Sequence, residues 1–233
     1  MLVVGASSGI GRDTAVLFAR EGAKVMAAAR REDRLAQLQK ELAAEGHPIE
    51  IATADAGVAT QMEGLAKKTL AKFGKIDVMV YVTGTNTPNR YLDKLTPAIW
   101  DELVTVNLNG AFYATYAVLP SMRDAGRGHL IYVSSISGIV PDVSGSAYQA
   151  SKRGMIGLSH AVRVEEKEKG IRTCVICPGL VETEILEKRP VKPTAEMLAK
   201  ALQPVDVAEA ILAVAKLPER AVVAEMQLLP TRI

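Results

Sequence analysis

A chain of 233 residues, 48% hydrophobic and 23% charged, is long enough to bury one sizeable core as a single domain. Its formal net charge of +2 comes from interspersed acidic and basic residues, with no basic stripe to draw nucleic acid or anionic lipid. No run approaches the ~18 uncharged apolar residues of a membrane span, and no basic-then-apolar leader opens the chain, so a cytoplasmic protein is expected.

Short apolar runs alternate with longer helical patterns. LVV at 2–4 predicts a first strand, followed by a helix over 10–21; KVMAAA at 24–29 predicts a second, followed by a helix over 32–45. IEIATA at 49–54 and IDVMVYV at 76–82 flank a helix over 58–73, and HLIYVS at 129–134 follows a long helix over 97–123. RTCVIC at 172–177 follows a helix over 148–169, and VVAEMQLL at 222–229 closes the series after a helix over 205–216. Gly22 and Gly46 stand where C-terminal caps belong, and Pro97 follows Thr96 at a helix start. Such alternation means parallel strands joined by crossovers. The expected fold is a doubly wound α/β domain of Rossmann-like form, a mostly parallel seven-stranded sheet with helices on both faces. No repeat or long linker divides residues 1–233, and the Pro-, Glu- and Lys-rich region 180–204 is expected to be a substrate lid.

Cys174 and Cys177 spell Cys-x-x-Cys, but residues three apart on a strand lie ~10 Å apart and face opposite sides, outside disulfide reach. Both are expected to fill core. His47, His129 and His160 show no metal-ligand spacing, and no metal is expected.

The opening MLVVGASSGIGRDTA admits two readings. Gly5-x-Ser7-x-Gly9 has the form of a hydrolase nucleophile elbow, whereas Gly5, Gly9 and Gly11 have the form of a dinucleotide-binding turn. The elbow needs earlier strands for its oxyanion hole and a suitable histidine; almost nothing precedes Gly5. The nucleotide reading needs only a strand, glycines and a helix. Gly5 then permits the tight turn, Gly9 lets N–H groups approach phosphate, and Gly11 lets the helix pack closely on the strand. Downstream, YQASK puts Tyr148 and Lys152 four apart on one helix face, so that a phenol and an ammonium project together. A nearby positive charge favours phenolate and lowers the phenol's usual pKa of about 10. Ser135 ends a strand thirteen residues before Tyr148, at the sheet edge where ligands bind.

With GASSGIG at 5–11, VNLNG at 106–110, VSS at 133–135, YQASK at 148–152 and PGLVET at 178–183, the chain resembles the short-chain dehydrogenase/reductase family over almost its whole length. The resemblance decides the opening in favour of the nucleotide. It implies hydride transfer between NADP(H) and a carbonyl or secondary-alcohol substrate, with Tyr148 as general acid and base and Ser135 bonded to the substrate oxygen. Lys152 would hold the nicotinamide ribose and lower the phenol's pKa, and Asn107 would anchor a proton-relaying water. Cofactor contacts are implied for Gly5, Ser7, Ser8, Gly9, Ile10 and Gly11, for Arg30, Arg31, Asp55 and Ala56, for Thr83 and Gly84, and for Tyr148, Lys152, Pro178, Gly179, Val181 and Thr183. Ala29 stands where NAD-preferring members carry an acid. The guanidinium of Arg30 would instead meet the 2′-phosphate of NADP, and Asp55 the adenine.

The family also implies pocket walls from 85–95, 136–145 and 180–204, and a homotetramer or homodimer built on the helices at 97–123 and 148–169 and on the final strand. Three departures stand out. Val4 replaces the usual threonine, and Tyr81 to Gly84 read YVTG in place of Asn-Asn-Ala-Gly, a motif that braces the central sheet. Only four residues precede Gly5, which implies a truncated start and a frayed first strand. The altered brace suggests an alternative, a non-catalytic NADP(H)-binding or sensor protein.

Overall fold

A computed structural model describes residues 1–232. Strands β1 (Leu2–Val4), β2 (Met26–Ala29), β3 (Glu50–Thr53), β4 (Val78–Tyr81), β5 (Gly128–Val133), β6 (Ile171–Pro178) and β7 (Glu225–Leu228) form one sheet in the order β3-β2-β1-β4-β5-β6-β7. Every pairing is parallel. Helices α1 (Gly9–Arg20), α2 (Glu32–Ala44), α3 (Ala59–Phe73), α4 (Pro97–Val104), α5 (Gly110–Ala125), α6 (Ser146–Glu166), α7 (Ala195–Lys200) and α8 (Pro204–Ala215) complete the doubly wound fold. The winding reverses between β1 and β4, which opens a crevice beyond the carboxyl ends of the strands.

Strands covered on both faces have no polar side to show, so MAAA in β2 and GHLIYV in β5 are buried at every position. Successive residues feed opposite layers. Leu2, Val4, Leu130 and Tyr132 pack with Met62 and Leu65 of α3, Val118 of α5 and Met155 of α6. Val3, Ile131 and Val133 pack on the other side with Phe18 of α1, Leu35 and Leu38 of α2 and Ile211 of α8. Cys177 belongs to the first layer and Cys174 to the second, and both thiols are free. Thr96 caps α4 by accepting from the Ile99 N–H, with Pro97 in the first turn.

Two expectations are corrected. The first strand is not frayed: β1 lies between β2 and β4, and its three residues are at most 2% exposed. Burying each such side chain is worth ~1.5–3 kcal/mol, enough to hold even a three-residue strand in place. The terminal ammonium of Met1 is also tied, donating to the Lys24 carbonyl at 2.6 Å. The single helix expected over 97–123 is interrupted by a π-turn at Thr105–Asn109, between α4 and α5. Asn107, at its middle, is fully buried.

Region 180–204 is partly ordered into a 3-10 turn at Glu184–Lys188 and into α7. Its two ends are stitched together. Val181 bridges Leu202, the Leu202 N–H donates to Leu180 O at 2.9 Å, and the Glu182 N–H donates to Leu202 O at 2.8 Å. Among the described residues no helix is long and apolar enough to cross a membrane, and no three His, Cys, Asp or Glu side chains are grouped to hold a metal.

Candidate active site

The crevice holds a cleft of about 510 Å³, built at one end on the turn after β1. There the chain doubles back at Gly5, φ +108°, whose N–H donates to Ala28 O at 2.8 Å. A Cβ on Gly11 would fall 2.2 Å from the Gly5 carbonyl oxygen, so only glycine lets α1 start this close to the turn. The first helical hydrogen bond is Arg12 N–H to Ser8 O. The earlier N–H groups, on Gly9, Ile10 and Gly11, border the cleft at the positive end of the helix dipole.

Ser8 precedes α1 without capping it, because its hydroxyl serves Arg31. The Arg31 guanidinium donates to Ser7 Oγ at 2.9 Å and to Ser8 Oγ at 2.7 Å, and across the cleft to Glu184 at 2.8 Å. Arg34 also pairs with Glu184. These two guanidiniums hold the Glu184 carboxyl down at about 2. Arg30 is placed differently: its side chain is 69% exposed and stands 3.8 Å from the Asp55 carboxylate. Arg31, more than Arg30, is thus the arginine presented to the phosphate turn. Asp55 Oδ1 also accepts from the Gly57 N–H, and with Ala56 it lines the same end. The unspent N–H groups, two hydroxyls and two guanidiniums form a donor set that fits a phosphate-bearing nucleotide.

The residues expected to transfer protons sit where β5 ends and α6 begins. Ser135, 8% exposed, is held by the Ser137 N–H at 3.2 Å. Tyr148 and Ser135 line the same cleft, and the Ser135 hydroxyl acts on the phenol in the direction that lowers its pKa. One turn on, Lys152 places its ammonium 5.8 Å from the Tyr148 ring centroid and donates to Val133 O at 3.0 Å. Burial lowers Lys152 to about 8. The expectation that charge lowers the Tyr148 pKa is corrected: burial is the larger influence and raises it, with the Ser135 hydrogen bond acting in the lowering direction.

Asn107 stands behind this group and does not line the cleft. Its Nδ2 donates to Thr85 O and Ser151 Oγ, both at 3.0 Å, and its Oδ1 accepts from the Thr85 N–H at 2.7 Å. Ser151 in turn donates to Tyr148 O at 2.8 Å, so the amide ties the loop after β4 to the catalytic helix. The YVTG departure acquires a role here. Tyr81, fully buried, donates its hydroxyl to Val106 O at 2.6 Å, bracing the π-turn one residue before Asn107. A Cβ on Gly110 would lie 2.2 Å from that hydroxyl, so glycine makes room for the brace. Val4 packs in the core, and Thr83 and Gly84 border the cleft, with Lys152 Nζ 3.2 Å from where a Gly84 Cβ would be.

The far wall is formed by Pro178 and Gly179 at the end of β6 and by Val181 and Thr183 at the start of the 180–204 segment. The segments 85–95, 136–145 and 180–204 supply the remaining surface, as the sequence implies, but individual residues there went unforeseen. Arg90, Asp142, Lys188 and Arg189 all border the cleft. None falls in a recognisable motif; only their position in wall segments could have flagged them.

The pattern of the short chain dehydrogenase family matches residues 1–193. Over 201 residues the chain is 36% identical to a 3-oxoacyl-(acyl-carrier-protein) reductase of Thermotoga maritima, covering 85% of this chain and 80% of that one. The closed form of a serine dehydrogenase complexed with NADP+ superposes with a TM-score of 0.89 at 31% identity, over 97% and 93% of the two chains. An alcohol dehydrogenase of the archaeon Thermococcus sibiricus, complexed with 5-hydroxy-NADP, gives 0.89 at 29% identity over 100% and 96%. Fold, site and sequence agree: the chain belongs to the short-chain dehydrogenase family of oxidoreductases.

Proposed function

We propose that the protein reduces a carbonyl compound with NADPH, or oxidises the corresponding secondary alcohol with NADP+, using Tyr148 to give or take the proton. The observation that carries this reading is the meeting of Tyr148, Ser135 and Lys152 on one wall of a cleft whose other end is a phosphate-type donor set. NADPH, when bound, supplies the hydride. Tyr148, held protonated by burial, donates to the carbonyl oxygen, and Ser135 donates a second hydrogen bond where negative charge develops. Lys152 is placed to meet ribose hydroxyls beside Gly84, and Asn107 fixes the distance between the loop after β4 and α6.

The preference for NADP is assigned to Arg31, with Arg30 beside it, since neither Ala29 nor a neighbour on β2 offers a carboxylate to the adenosine ribose. Neighbours of similar fold are described in complex with NADP+ and 5-hydroxy-NADP, which supports the assignment. A homodimer or homotetramer is part of the same proposal: Trp100, Phe112 and Tyr116 on α4 and α5 are 37%, 49% and 62% exposed. A cytoplasmic location goes with it and suits two free thiols. The test is a spectrophotometric panel following NADPH loss with ketones, quinones and 3-oxoacyl thioesters. Consumption of NADPH by at least one class is expected; a protein that binds NADPH and oxidises it with none would overturn the reading.

A further inference from the structure

Arg90 is 4% exposed yet borders the cleft beside Tyr148. It arrives there on the loop after β4, packed against Gly145, where a Cβ would fall 2.6 Å from the Arg90 carbonyl oxygen. Its Nε donates to Thr87 O at 3.0 Å and its Nη2 to Lys188 O at 2.8 Å. The Nη1 has no protein partner among the described residues. Arg189, on the 180–204 segment, borders the same cleft, its guanidinium has no acceptor among the described residues, and its charge acts on both Arg90 and the Tyr148 phenol. Lys188, between them in position, spends its ammonium on Thr85 Oγ1 at 2.5 Å.

Among the described residues no carboxylate forms an ion pair with either guanidinium, and Asp142 acts on Arg90 only through its charge. Asp142, on the same wall, accepts from Ser137 Oγ at 2.5 Å and from the Ser144 N–H at 2.8 Å. Glu187 pairs with Lys192, Glu184 with Arg31 and Arg34, and Asp55 with Arg30. Two guanidiniums facing one cleft repel each other unless an anion lies between them, and a planar donor fork matches a carboxylate in geometry as well as charge. Both arginines line the same cleft as Tyr148 and Ser135, so an anion held between them shares that cleft with the carbonyl.

We propose that the substrate is a short oxo acid, its carboxylate held by Arg90 and Arg189 while its carbonyl oxygen faces Tyr148 and Ser135. The inference rests on the reductase reading above and narrows its substrate class. Acetoacetate and methyl acetoacetate differ in this charge and one methyl group, as do levulinate and methyl levulinate at greater length. The enzyme is expected to favour the acid over its ester at least tenfold in kcat/KM with NADPH at one of these lengths. Arg90→Gln and Arg189→Gln should each cut the acid-to-ester ratio about 10- to 100-fold, the range of a lost hydrogen bond to a charged group, with Arg90→Lys intermediate. Equal losses for acid and ester in Arg90→Gln would make Arg90 a pin of the lid through Thr87 and Lys188, and would overturn the proposal. So would a wild-type enzyme that prefers both esters. Calorimetric titration of the enzyme and NADP+ with 3-hydroxybutyrate gives a readout free of turnover. Binding that weakens in Arg189→Gln, with no ketone reduced, supports the subsite and sinks the reductase reading alone. Esters reduced with no acid reduced and no 3-hydroxybutyrate bound sinks the subsite alone.

Discussion

Tyr148 and Lys152 lie one helical turn apart, and burial acts on them in opposite senses, raising the phenol and lowering the ammonium to about 8. The phenol therefore waits as an acid, which suits carbonyl reduction. Tyr148→Phe keeps the ring and removes only the hydroxyl, so turnover should fall by the ~100- to ~10,000-fold of a lost acid/base group while NADPH affinity, read by fluorescence titration, stays nearly intact. Unaltered turnover would remove Tyr148 from the chemistry. At the other end of the cleft, Arg31 is held by Ser7, Ser8 and Glu184. Arg31→Ala should weaken NADPH by about 10- to 150-fold, the worth of a charge-assisted hydrogen bond trimmed by exposure, and leave NADH almost unaffected. Arg30→Ala, already 69% exposed, should cost less. Equal losses for the two cofactors in Arg31→Ala would show that Arg31 supports the lid and does not read the 2′-phosphate.

Between α4 and α5 the π-turn carries Asn107 inward, and Tyr81 at the end of β4 holds the turn through one hydrogen bond. Tyr81→Phe preserves the packing and deletes that bond. It should cost about 1 kcal/mol in urea unfolding, a typical net value for one hydrogen bond, and lower kcat more than it raises KM, because Asn107 positions α6 and touches no substrate. A kcat unchanged in that variant would make the brace purely structural. At this scale most of the architecture was legible. Apolar runs such as KVMAAA and RTCVIC bound strands that the structure begins and ends within about two residues of expectation, because a parallel sheet buried on both faces leaves so plain a mark. The glycine turn and the Tyr148–Lys152 pair were legible because their spacing is itself geometry. The π-turn was not, since one extra residue per turn leaves helical periodicity almost unaltered. Nor was the Tyr81 brace: a tyrosine ending a strand has the form of any other core aromatic until its hydroxyl is seen to reach Val106. Arg90 escaped for a similar reason, a charged residue in a wall loop being ordinary until its burial is known.

Across the whole molecule, stability should depend on pH through His129 at the start of β5. Its two ring nitrogens are buried without partners, and burial lowers its pKa from 6.5 to about 4. As pH falls through 6.5 the unfolded chain takes up this proton while the folded chain resists until about 4, so stability is lost across that window. His129→Leu, which leaves no polar atom stranded, should flatten the fall in melting temperature between pH 6.5 and 4; an unchanged slope would assign it to other groups. Assembly is the second property at this scale. The Phe112 and Tyr116 rings lie 6.0 Å apart on the outward face of α5, an aromatic patch that a second copy would cover. Light scattering at micromolar concentration should give a dimer or tetramer mass, and Phe112→Glu with Tyr116→Glu should reduce it to a monomer that keeps its circular dichroism. A wild-type monomer would count against the proposed oligomer.

The stitch at the root of the lid has a consequence of another kind. Because Val181 and Leu202 meet as neighbouring strands do, the chain that leaves the end of β6 comes back beside itself at nearly the same point before it enters α8. Whatever lies between is a closed excursion, and lengthening such an excursion twofold adds only about 0.6 kcal/mol of closure entropy. Apart from Glu184 and Lys188, which are tied to Arg31 and Thr85, the segment between the two anchors can change in sequence and length while the seven-stranded sheet beneath keeps Tyr148 and the glycine turn in register. On the proposed reading, part of the substrate specificity is carried by a segment that evolution can replace without putting the fold at stake.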